Sequence, residues 1–135
     1  MKNHEEKIQA DFVKKIEKFQ LKGYILKRTA IPNSTFTTYS QASKNTRTGL
    51  QPGLLDYFLI LADGTQVWIE FKTKTGRLSK EQKEWIQALT IMTTHVYVCR
   101  SADQAYKLVD KLVTDMLERL AHRYFFDKYA KKKQS

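Results

Sequence analysis

The chain has 135 residues, with 24 Lys and Arg against 14 Asp and Glu for a formal charge of +10, 41% hydrophobic and 12% aromatic residues, and one cysteine. That length accommodates one domain-sized core, and the apolar and aromatic content excludes wholesale disorder. A lone cysteine cannot close an internal disulfide, and no apolar stretch follows Met1-Lys2-Asn3-His4, which points away from secretion and membrane spanning and toward a soluble intracellular protein.

Residues 3–21 carry Ile8, Phe12, Ile16 and Phe19 on one stripe at helical spacing, with Asn3 as the expected cap and Gly23 as the stop. Tyr24 to Thr29 reads as a first strand. Ile31 to Gln51 is rich in Ser, Thr, Pro, Asn and Gly without periodicity and reads as a long loop or an irregular strand extension. Leu54 to Leu61 and Thr65 to Lys72, aromatic and β-branched on both arms, flank Ala62-Asp63-Gly64 and predict a hairpin. Thr75-Gly76-Arg77 breaks it. Ser79-x-x-Gln82 is a capping-box pattern that opens a second helix with Trp85, Ile86 and Leu89 on its inner stripe. His95 to Cys99 is a short apolar strand. Ser101-x-x-Gln104 opens a third helix whose apolar face holds Leu108, Val109, Leu112, Met116 and Leu120. The order α-β-β-β-α-β-α, with a strand-helix-strand unit in its second half, predicts an α/β fold with a mixed sheet flanked by helices. Residues 1–127 form the expected single domain and residues 128–135 a basic tail.

Charge is unevenly spread. No carboxylate lies between Lys18 and Leu55, a stretch holding Lys18, Lys22, Lys27, Arg28, Lys44 and Arg47, and Lys128, Lys131, Lys132 and Lys133 close the sequence. Such an excess suits a polyanion, because each neutralised phosphate releases counterions. Plain solubility charge is the alternative for the terminal lysines.

Alternation along a strand puts Trp68, Glu70 and Lys72 on one face and Val67, Ile69 and Phe71 on the other. An acid and a lysine near the end of an apolar strand are costly to bury unless paired or ligated; a surface salt bridge between them is the competing reading. Whether Asp56 joins them depends on the hairpin. A two-residue Asp63-Gly64 turn puts Tyr57 opposite Glu70 and Asp56 on the wrong face. A three-residue loop with left-handed Gly64 in a bulge puts Asp56 opposite Glu70. The second register also gathers Leu55, Tyr57, Leu59, Val67, Ile69 and Phe71 on one apolar face, and is the favoured one. Two facing carboxylates repel, and Mg²⁺, which prefers oxygen ligands, removes that penalty and can polarise a phosphoryl oxygen. Lys72 is then placed to assist an attacking water and to stabilise developing charge.

Gly53-Leu54-Leu55-Asp56, the turn, Trp68-Ile69-Glu70-Phe71-Lys72 and Arg77-Leu78-Ser79-Lys80-Glu81-Gln82-Lys83-Glu84-Trp85 resemble, in order and spacing, the core of a VRR-Nuc domain of the PD-(D/E)XK nuclease superfamily. The resemblance runs from about Glu5 to Arg100 and implies a restriction-endonuclease-like fold. It makes Asp56 and Glu70 metal ligands, Lys72 the catalytic lysine and Gln82 an active-site glutamine. It also calls for an acid from the first helix; there Glu5 lies within roughly 30° of the apolar stripe, whereas Glu6 points away and suits a capping box with Asn3. Leu55 stands where the family usually has Pro. The capping box is a competing use for the Gln82 side chain.

The resemblance further implies a Mg²⁺-dependent (or Mn²⁺-dependent) endodeoxyribonuclease acting on branched or four-way junction (Holliday junction) DNA. Free-standing relatives are viral or phage-like and some are homodimers, which implies the cytoplasm of a bacterial or phage-infected cell. Lys44, Arg47, Lys74 and Arg77 flank the expected DNA path. A catalytically silent nucleic-acid-binding accessory module is the alternative. The three His and one Cys show no zinc spacing, and there is no phosphate-binding Gly-rich loop or nucleophile elbow. The segment from His122 to Tyr129, aromatic and basic, suits packing on the first helix, a dimer interface or base stacking, the first two favoured.

Overall fold

The computed structural model describes residues 2–32, 43–44, 47–93 and 95–134, and the side chains of all of these except 2, 3, 133 and 134. Among the described residues the elements follow in the order α1 (Lys2–Leu21), β1 (Ile25–Ala30), β2 (Tyr57–Leu61), β3 (Gln66–Phe71), α2 (Lys80–Met92), β4 (Val96–Cys99) and α3 (Ala102–Gln134). One sheet holds the strands in the order β1-β2-β3-β4, antiparallel across the first two pairs and parallel across the third. The expected mixed sheet and element order are therefore present. Parallel pairing of β3 with β4 requires a crossover, and α2 supplies it.

The hairpin adopts the three-residue loop. Tyr57 pairs with Ile69 and Leu59 with Val67. Gly64, at φ +89°, takes the left-handed conformation the bulge demands, its N–H donates to Leu61 O at 2.9 Å, and the Leu61 N–H donates to Thr65 O at 2.9 Å. Asp63 stiffens the turn by accepting from the Thr65 N–H at 3.0 Å and its hydroxyl at 2.6 Å.

Register decides which face is core. Tyr57, Leu59, Leu61, Val67, Ile69 and Phe71 are all buried, and the α1 stripe of Phe12, Ile16 and Phe19 packs on them. The Phe12 ring meets Tyr57 edge-on at 5.5 Å and Phe71 at 5.3 Å between centroids. Ala105, Val109, Val113 and Met116 of α3 complete this layer. Leu55, at the position where the resembled family has Pro, is fully buried.

Several local expectations shift. α1 begins by Lys2, so Asn3 lies inside its first turn instead of capping it. Residues 54–56 lead into β2 without joining it. Trp85, Ile86 and Leu89 are the expected inner stripe of α2 but are only half-buried, and no residue of this helix is fully buried. Leu120 is 40% exposed: the buried stripe of α3 ends at Met116. Most of the predicted 31–51 loop lies outside the described residues. Within it, Lys44 O accepts from the Thr48 N–H at 3.0 Å.

Past Met116, α3 leaves the domain. Arg119 still ties it to the hairpin turn through Asp63 at 2.9 Å, and from Leu120 to Tyr129 every side chain is exposed. The aromatic-basic end therefore does not pack on α1, and Lys128, Lys131 and Lys132 sit on its last turns. Among the described residues no helix is long and apolar enough to cross a membrane.

Candidate active site

The second face of the sheet is only partly covered, so its residues Phe58, Ile60 and Trp68 are half-buried. Glu70 breaks that pattern. It is 2% exposed, the one buried charged side chain among the described residues. Its burial comes from the first turn of α2, which is held close by the loop before β2. Gly53 sits there at φ +90°, and a Cβ on it would lie 2.6 Å from Glu81 Cβ, 2.7 Å from Glu81 C and 2.9 Å from Gln82 N. Trp85 Nε1 donates to Pro52 O at 2.9 Å and ties the same loop to the next turn of α2.

Asp56 follows this loop immediately. Its Oδ2 accepts from the Phe71 N–H at 2.8 Å, and its carbonyl accepts from the Ile31 N–H at 2.8 Å, so the residue bridges the ends of β1 and β3. The resulting position brings its carboxyl against that of Glu70. Burial and the Asp56 charge push the Glu70 carboxyl up to about 9, opposed by the Lys72 charge; Glu5 adds a smaller push upward. The Glu70 carboxyl thus keeps its proton near neutral pH in the absence of a cation.

Gln82 has two partners. Its Oε1 accepts from the Ser79 N–H at 2.9 Å and the Ser79 hydroxyl accepts from the Gln82 N–H at 3.1 Å, which completes the predicted capping box. Its Nε2 donates to Glu70 Oε1 at 2.5 Å. The helix cap and the contact with Glu70 thus coexist on one amide. Glu70 Oε2, by contrast, is buried with no donor facing it.

Lys72 is half-buried beyond the end of β3, its N–H donating to Cys99 O at 3.0 Å. It makes no ion pair with Glu70, and a surface salt bridge is excluded by the burial of the acid. Glu5 is half-buried and close enough for its charge to act on Glu70, whereas Glu6 is exposed. Among the described residues no three His, Cys, Asp or Glu side chains converge as a metal-binding group, so Asp56 and Glu70 are a pair with Glu5 outside it. Lys44, Arg47, Lys74 and Arg77 are all exposed. His95 Nδ1 is 3.0 Å from Tyr97 Oη, and Cys99 is a buried thiol.

Arg100 was not singled out by any sequence pattern. Its Nη1 donates to Thr73 O at 2.8 Å and Gly76 O at 2.7 Å, and so clamps the turn that links Lys72 to Arg77. No short motif marks it, because its acceptors are backbone carbonyls more than 20 positions away in the chain. The Trp85–Pro52 bond escapes sequence reading for the same reason, and the Phe71–Asp56 bond because its donor is a backbone N–H.

The pair fits a divalent cation on its own geometry: two carboxyls in contact, each anchored through one oxygen by a protein donor, and a buried Oε2 with nothing to satisfy it. Among curated proteins and among solved structures nothing matches the chain. A family model described as the VRR-NUC domain matches residues 3–103, a span that contains every residue of this site, and the chain belongs to that family of nuclease-type domains.

Proposed function

We propose that the protein is a divalent-metal-dependent endodeoxyribonuclease that hydrolyses phosphodiester bonds at the Asp56–Glu70–Lys72 cluster. The observation that carries this reading is the buried Glu70 carboxyl, pressed against Asp56 with Oε2 unsatisfied. Natural folds seldom retain such a group without a ligand for it.

Asp56 and Glu70 would hold the cation, Mg²⁺ or Mn²⁺, with Glu5 as a further acid at its edge. When bound, it supplies Lewis-acid polarisation of a phosphoryl oxygen and acidifies water. The chain's own groups do the rest. The Phe71 N–H and Gln82 Nε2 fix one oxygen of each carboxyl, so neither acid has to be ordered when substrate arrives. Lys72 can donate to the attacking water or to the charge that develops on phosphorus oxygens. Arg100 holds the Thr73–Gly76 turn and thereby the approach of Lys74 and Arg77 to the DNA backbone. Phosphate contacts of this kind carry no base information, so selection of branched or four-way DNA by shape belongs to the same proposal.

Lys72→Ala should lower the rate of plasmid or junction cutting in Mg²⁺ at least a hundredfold while leaving DNA binding in EDTA intact. Full activity in that variant would rule out this active site. Absence of cutting by the wild-type chain on every DNA shape, with binding retained, would instead establish a silent nucleic-acid-binding module.

A further inference from the structure

The last turns of α3 form an arm. Between Leu120 and Gln134 the helix extends roughly 22 Å beyond its last contact with the hairpin, and Tyr124, Phe125, Phe126 and Tyr129 are 61%, 66%, 64% and 59% exposed. Four such rings within six positions are far more than isolated surface apolar residues, and mark a binding surface. The same stretch has five Lys or Arg and one acid, Asp127.

Spacing sorts these residues. At about 100° per residue, Tyr124, Lys128 and Lys131 make one row along the helix and Phe125, Tyr129 and Lys132 the neighbouring row. Together the two rows give a face of alternating rings and lysines, with Lys128 Nζ 5.8 Å from the Tyr124 ring centroid and the Tyr124 and Phe125 rings 5.7 Å apart. Asp127 lies on a different side, on the continuation of the stripe that ends at Met116, together with Arg123.

That pattern separates the candidate occupants. Pairing with a second copy needs one continuous apolar seam, but the seam inherited from the core turns into Leu120, Arg123 and Asp127, and two arms with a five-to-one basic excess repel. Duplex DNA would use the lysines and leave the rings without function. A single strand uses both, because its phosphates meet the lysines and its unpaired bases have open faces on which rings stack.

We infer that the projecting arm of α3 is a binding site for single-stranded DNA, in which Tyr124, Phe125 and Tyr129 stack on unpaired bases while Lys128, Lys131 and Lys132 contact the phosphates. The inference builds on the nuclease reading, since it assigns the arm the unpaired strand beside a branch or nick. It does not require the site on β3 to cut.

The test uses the full chain in EDTA with a labelled oligothymidylate long enough to span the arm and a labelled duplex of equal length, read by anisotropy. Tyr124→Ala/Phe125→Ala/Tyr129→Ala should weaken oligothymidylate binding at least tenfold without altering its salt dependence, and should leave duplex affinity within about twofold. Lys128→Ala/Lys131→Ala/Lys132→Ala should flatten the salt slope by about 2. Alanine favours helix, so far-UV circular dichroism should show α3 retained in both. Unchanged oligothymidylate affinity in the aromatic variant would overturn the inference, as would an equal loss on duplex. A wild-type dimer that the aromatic variant dissolves would also overturn it, making a second copy the occupant. Failure to cut in Mg²⁺ with single-strand binding as expected would sink the nuclease reading and leave the arm standing.

Discussion

Glu70→Gln tests whether the site stores a carboxyl that the fold alone cannot satisfy. Glutamine keeps the Oε1 acceptor for Gln82 Nε2 and replaces the titrating acid beside Asp56 by a permanent neutral amide. In the wild-type chain the carboxyl is raised from an ordinary 4.5 to about 9, chiefly by burial and then by Asp56. A carboxyl shifted upward leaves the fold at full stability below its unfolded value and loses that stability as pH rises toward the folded one, since the native state then holds a proton the unfolded state has released. Each pH unit in that window costs about 1.4 kcal/mol, so the ceiling between about pH 5 and pH 8 is about 4 kcal/mol. Relaxation of the site and water entry around the ionised carboxylate reduce that ceiling, and a loss of about 2 kcal/mol is expected. For a domain of this size the corresponding drop in Tm is roughly 6–10 °C. Thermal melts in EDTA at the two pH values should show that drop for the wild type and a much smaller one for Glu70→Gln. Adding Mg²⁺ at the higher pH should restore the wild type and leave the variant unmoved, because only the ionised pair binds the cation. Parallel melting of the two proteins across the pH range would refute the raised Glu70 carboxyl, and with it the argument that Oε2 awaits a cation.

Two further substitutions probe the frame around the carboxyls. Gln82→Ala removes both the capping-box arm at Ser79 and the donor to Glu70; it should cost about 1–2 kcal/mol in urea unfolding and reduce cutting at least tenfold, and retention of both would show the contact is dispensable. Gly53→Ala forces a Cβ into the backbone of α2 at a left-handed φ, so a loss of at least about 2 kcal/mol is expected; a stable, fully active variant would mean the loop need not touch the helix.

Much of this arrangement was legible in the sequence because it follows from periodicity and turn chemistry. The left-handed demand at Gly64 and the gain in apolar pairing selected one hairpin register, and that register carries Asp56 to Glu70. Ser79 and Gln82 announced the start of α2 by their spacing alone. What spacing could not supply was depth. Trp85, Ile86 and Leu89 have the pattern of a buried stripe, but depth depends on what packs against the helix and they remain half-buried. Leu120 continues the α3 period past the point where the sheet ends. Arg100 and the Phe71 N–H work through backbone atoms, which leave no trace in residue identity.

The capping box explains why Gln82 can be both a helix start and part of the site. An amide side chain has one acceptor end and one donor end. At this position the N–H of Ser79 requires the acceptor, so Oε1 is committed to the cap and Nε2 must point the other way, toward Glu70. A carboxylate facing that donor is stabilised, whereas the reverse orientation would set two oxygens against each other. The local need to satisfy a helix terminus therefore fixes the amide orientation and, through it, which Glu70 oxygen is engaged. Oε2 is the one left over. In this fold the orientation of the acidic pair is set by the start of a helix, and the turn that begins α2 belongs to the site as much as the strand that carries the acid.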